Sequence, residues 1–216
     1  MKAKQSTVMK LGVLSFLYLS QGLPFGFFTQ ALPVLMREQG YSLEVIGLTT
    51  LLACPWALKF LWAPWIDRTG ASRFGRRKSW IVPLQMLTFS VLGGLAFLPQ
   101  PVNMTLILFA VFIVNFMAAT QDVATDGLAV DMLDEHERGL GNGIQVAGYR
   151  VGMILSGGFL LVIYDTIQWS GTFLIMAVII FLATFPVLFY KEKAPRTSVG
   201  KTPSVDLLLG FFKRRG

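Results

Sequence analysis

The chain has 216 residues, of which 54% are hydrophobic and only 14% charged, and its mean hydropathy is +0.60. A soluble domain rarely combines so little charge with so much apolar surface. The formal charge of +7 could suggest nucleic acid, but the placement of the basic residues excludes that reading.

Crossing a bilayer takes about 17–25 predominantly apolar residues, and six stretches qualify: roughly 11–36, 44–66, 79–98, 104–131, 139–164 and 169–190. The first follows a basic N-terminus, "MKAKQSTVMK". It is too long for a signal-peptide core and no small-x-small cleavage site follows it, so it reads as the first span. With the N-terminus inside, the cytoplasmic segments carry 16 of the 19 Lys and Arg residues. Arg37 alone lies in an external loop, and Lys59 and Arg150 fall within spans. Such a bias is the positive-inside rule, and the basicity encodes topology. The expected fold is an all-α membrane protein, a six-transmembrane-helix bundle over residues 1–190. A cytoplasmic linker over 191–216 would open an interfacial helix, with Val205, Leu208, Leu209 and Phe212 at helical spacing.

The connections are short: "REQGYS", "DRTGASRFGRRK", "PQPVN", "LDEHERG" and "DTIQ". None leaves room for a soluble domain. The single Cys54 lies inside the second span, which predicts no disulfide framework and no metal cluster; no cofactor is expected, and the lone His136 reads as a solvated loop residue. Glycines at four-residue spacing, Gly22/Gly26 and Gly148/Gly152, predict close helix packing. "GLGNG" at 139–143 follows no strand and reads the same way, not as a nucleotide loop.

Four charges lie within the spans: Lys59, Asp122, Asp126 and Arg150. A charge at the bilayer centre costs about 2.5–3.5 kcal/mol on insertion scales, so each needs a reason. At a rise of about 1.5 Å per residue, Lys59, Asp122, Asp126 and Arg150 lie about 12, 13, 7 and 16 Å from the cytoplasmic ends of their helices. Asp122 and Asp126 are i, i+4 and share a helix face, with Asn115 near it. Gln145 and Tyr149 share a face with Asn142, next to Arg150, and Gln21 and Gln121 add amides. These groups predict a water-filled substrate or proton cavity in which the two acids neutralise the two bases. Three functions fit: transport of a polar or amphipathic organic solute, a non-transporting assembly subunit, or an intramembrane aspartyl hydrolase. The last needs two carboxylates sharing a proton, and neighbours on one helix cannot readily flank a scissile bond.

At "APWIDRTGASRFGRRKSW" the chain resembles the major facilitator superfamily, whose loop between helices two and three carries an acid-Arg pair, a glycine and a basic cluster. Here these are Asp67, Arg68, Gly75, Arg76, Arg77 and Lys78, with a few residues inserted between the two parts. With "GLPFG", "LKFLWAPWIDR", "QDVATDGLAVD" and "ERGLGNGIQVAGYRVG", the chain is similar to the AmpG-type branch, which includes muropeptide permeases, acetyl-coenzyme A transporters and siderophore importers. The resemblance implies two inverted three-helix repeats forming the N-terminal half of a transporter, in a bacterial inner membrane with both termini cytoplasmic. It implies a symporter or permease rather than an enzyme, with protons and a small-molecule solute as partners. It also implies a second six-helix half, from further chain or a second copy. Asp67 would pair with the basic loop as a cytoplasmic gate, and Asp131, Glu137 and Arg138 would join that charge network. The superfamily's RxxxG element is absent from helix four, where acids stand instead.

Overall fold

The computed structural model describes residues 6–70, 74–99 and 103–192. The linker beyond Glu192 and the interfacial helix expected around Val205–Phe212 lie outside the described residues. Among the described residues, six helical stretches are long and apolar enough to cross a membrane: α1 (Thr7–Glu38), α2 (Leu43–Leu61), α3 (Lys78–Ala96), α4 (Met104–Met132), α5 (Glu135–Val162) and α6 (Tyr164–Phe189). Side chains that accept from orphan N–H groups start three of them: Ser6 on Met9, Ser42 on Val45 and Asn103 on Thr105.

Prolines accompany the irregular turns of α1 and α2. In α1, a π turn at Phe27–Ala31 lies between Pro24 and Pro33, where two missing N–H groups loosen the ladder. α2 contains Pro55 and alternates α and 3₁₀ turns, then continues past Trp62 as a short helix, Ala63–Arg68. α5 has its own π turn at Leu155–Phe159, packed against that of α1. The expected link between spans five and six is a break inside α6 rather than a loop: Gln168 alone leaves helical geometry, at φ 53°.

α1 and α4 are central. Their apolar windows are 67% and 61% buried, against 17% for α2 and 22% for α5. α1 packs on α5 and α6, α4 packs on α2 and α3, α1 meets α4, and α3 meets α6. Exchanging α1, α2 and α3 for α4, α5 and α6 leaves this pattern unchanged. Because the two triplets start at opposite ends of the bundle, this is the inverted-repeat arrangement.

Two apolar clusters fill the interior. One includes Leu23, Phe27, Leu32, Ile107 and Phe173; the other includes Leu14, Leu17, Ile81, Leu128 and Tyr190. Between them along α1, α3 and α4 lies a buried polar layer: Ser20, Gln21, Gln85, Asn115, Gln121, Asp122 and Thr125. The Gln21 amide donates to Thr125 (3.0 Å) and Gln85 to Ser20 (3.1 Å). α1 and α5 approach until backbones touch. A Cβ on Gly22 would sit 3.2 Å from the Gly152 Cα, and one on Gly26 would sit 2.5 Å from the Met153 Cα. Close packing therefore explains these glycines. "GLGNG" runs from within the helical start of α5.

Candidate functional site

A cleft opens between α1, α4 and α5. Its upper chamber, about 500 Å³, is walled by Phe25, Asp122, Asn142, Tyr149 and Arg150 among others. A lower one of about 260 Å³ runs from Asp126 to Arg138 at the basic end. Tyr18, Asn142 and Gln145 line both. Asp122 forms an ion pair with Lys59 of α2, whose ammonium also lies 5.6 Å from the Trp56 ring. Asp126 accepts from the Tyr18 hydroxyl (2.8 Å) and the Gln145 amide (3.2 Å). Phe25, Trp56 and Tyr149 form a triangle of tilted and edge-on rings with centroids 5.6–6.3 Å apart, a usual aromatic geometry.

The expected pairing of two acids with two bases is therefore half corrected. Lys59 and Asp122 do pair, but Asp126 takes neutral donors, and Arg150 makes no ion pair among the described residues. Spacing along one helix cannot reveal which neighbours fill the gap opposite, and Tyr18 of α1 stands there. A second correction concerns Gln21, Asn115 and Gln121. All three are at most 4% exposed and belong to the packed polar layer, not the cavity wall. Asn115 accepts from the Trp56 indole (3.1 Å).

At the basic end, the start of α3 binds three other segments. The Arg77 guanidinium donates to Asp67 (2.5 Å) and Asp131 (3.5 Å). Arg76 donates to the Asp67 carbonyl (2.9 Å) and to Asp131 (3.3 Å). The Arg77 guanidinium lies against Gly127 of α4, where any Cβ would collide with it. Glu192 accepts from the backbone N–H groups of Arg77 (3.0 Å) and Lys78 (3.1 Å), a carboxylate on a helix N-terminus. Gly75, at φ +98°, leaves room for it.

The model of the Major Facilitator Superfamily matches residues 14–216. The chain belongs to the major facilitator superfamily. Among relatives, an uncharacterized protein of Haemophilus influenzae is 31% identical over 99% of this chain and 52% of its own length. The Anhydromuropeptide permease of Escherichia coli K12 is 31% identical over 94% of this chain and 42% of its own length. The chain spans about half the length of the curated relatives it matches.

Within this superfamily fold, the basic loop brings together Asp67, Gly75, Arg76, Arg77 and Asp131. It does not bring in Arg68 or Arg138, which form no ion pair among the described residues. Nor does it bring in Glu137, which is clasped by Lys10 (2.5 Å) and Thr7 (2.5 Å). The sequence reading missed Tyr18, Gly127 and Glu192. Gly127, twelve residues from Gly139, the nearest other glycine, carried a faint signal inside "ATDGLAVD"; Tyr18 carried none.

Proposed function

We propose that the chain is the six-helix half of an inner-membrane secondary transporter, coupled to protons. Its solute would be polar or amphipathic, with a muropeptide as the first candidate because the Escherichia coli relative is named a permease for one. The observation that carries this reading is the cleft beside α4. Six polar or charged side chains, Tyr18, Asp122, Asn142, Gln145, Tyr149 and Arg150, line a space of about 500 Å³ within membrane-crossing helices. Charged groups facing hydrocarbon are costly, so a second six-helix body would cover this face and complete the site. Asp122 and Asp126 have different partners, Lys59 for one and Tyr18 and Gln145 for the other, which argues against the hydrolase reading. The assembly-subunit reading leaves the cleft without a use.

The test is uptake of a labelled muropeptide into proteoliposomes, with and without a pH gradient, using this chain and a matching second half. Gradient-driven accumulation is expected, and none under any gradient would refute transport. Asp122→Asn leaves Lys59 unpaired, so uptake should fall at least about tenfold, with Lys59→Gln restoring folded protein in part. Undiminished uptake by Asp122→Asn would remove the pair from the mechanism.

In this reading the basic end faces the cytoplasm, residues 191–216 form the linker, and the Asp67–Arg77–Asp131 cluster holds the gate. Asp67→Asn removes one acceptor of Arg77 at a half-exposed position. It should leave the helices folded and shift the transporter toward the state open at that end. Labelling of cysteines placed at Asn142 or Val146 from the cytoplasmic side should speed up severalfold; an unchanged rate would take Asp67 out of the gate.

A further inference from the structure

The cavity holds a guanidinium that no described acid claims. Asp122 closes on Lys59, and Asp126 is engaged by Tyr18 and Gln145 in the lower chamber. Arg150 lines the upper chamber and makes no ion pair among the described residues. An uncompensated guanidinium within a membrane helix is costly and calls for an anion. Neighbouring donors point the same way. Asn142 and Gln145 share its wall, while Phe25 and Tyr149, backed by Trp56, offer an apolar aromatic surface beside it.

From this arrangement we infer that the solute is an anion built on a ring or acyl body: a carboxylate or phosphate seats on Arg150, and the body lies against Phe25 and Tyr149. The inference rests on reading the cleft as a solute site and adds the charge class to it. A cation would meet Arg150 while the acid that lines the chamber, Asp122, is already neutralised by Lys59. A neutral solute would leave the guanidinium without a counterion. Arginine suits the task because its planar fork bonds both oxygens of a carboxylate or phosphate at once, which a lysine cannot do.

Binding is measured in membrane vesicles carrying the protein, with three labelled probes: N-acetylmuramic acid, its carboxamide, and N-acetylglucosamine 1-phosphate. At least one of the two anions should bind about tenfold or more tighter than the carboxamide, the size of one charge-assisted contact. Arg150→Gln should abolish that preference, and Arg150→Lys should keep part of it. Phe25→Leu should weaken all three probes alike, which separates ring contact from charge recognition. Equal binding of acid and amide, no binding of either anion, or a preference that survives Arg150→Gln would overturn the inference. A preference present in phosphatidylcholine vesicles but lost in phosphatidylglycerol vesicles would assign Arg150 to a lipid headgroup and overturn it too. Because binding is read without transport, a protein that holds the acid but moves none would sink the transporter reading and leave this site standing.

Discussion

Replacing both Gly22 and Gly152 with alanine should unfold much of the protein, although each change adds only one methyl group. A Cβ on Gly152 would lie 2.9 Å from the Gly22 Cα, and one on Gly22 would lie 3.0 Å from the Tyr149 carbonyl carbon. These neighbours are backbone and cannot rotate away, so α1 and α5 must move apart along their contact. Overpacking costs about 1–3 kcal/mol per site, and more where nothing yields. The pair should therefore cost upwards of about 3 kcal/mol, because small residues are what let membrane helices approach. Gly93 is the control. A Cβ there meets nothing within 4 Å, and it lies inside α3, so Gly93→Ala should stabilise by about 0.5–1 kcal/mol. Denaturant unfolding of purified protein in detergent micelles measures both; a Gly22/Gly152 double variant as stable as the parent would mean that α1 and α5 do not pack as described.

The second large effect is expected at Glu137. Its carboxylate accepts from Lys10 (2.5 Å), from Thr7 (2.5 Å) and from the Asp134 N–H (2.9 Å). The Lys10 and Glu137 side chains are 1% and 4% exposed. Glu137→Ala would leave Lys10 with only the longer contact to Asp134, at 3.4 Å, in a place that water does not reach. Removing one partner of such a pair leaves its counterion unpaired and is clearly destabilising. Lys10→Met together with Glu137→Ala should recover most of the loss, since replacing a buried pair by apolar groups is often neutral. The same unfolding measurement decides this, and a Glu137→Ala protein of parental stability would show that the clasp contributes nothing.

Several features of this fold are local properties of the chain. A transmembrane helix satisfies its own backbone, so length and apolarity alone mark α1 to α6. Glycine pairs four apart on α1 and α5 announce a close approach because a helix face repeats at that spacing. The basic loop was legible for a similar reason: Asp67, Gly75, Arg76 and Arg77 lie within eleven positions of one another and can meet without the rest of the fold. Asp131, 54 positions from Arg77, meets them only through the fold.

Which charge meets which partner across the bundle is a different matter. Lys10 reads as one more positive-inside residue, yet it is fully buried against Glu137, 127 positions away. Asp126 was expected to help Asp122 neutralise the two bases at the depth of a cavity, but α1 places Tyr18 against it and leaves Arg150 facing the cleft. Gln21, Asn115 and Gln121 share that depth and are sealed into the polar layer by the packing of α1 on α4. The sequence by itself determined the six spans, their alternation across the membrane, the acids and bases within them and the family to which they belong, because these depend on the solvent each segment must match. Only the tertiary structure decided which acid is neutralised and which base stays open, because rotation of each helix about its own axis is set by contacts with its neighbours, not by the bilayer.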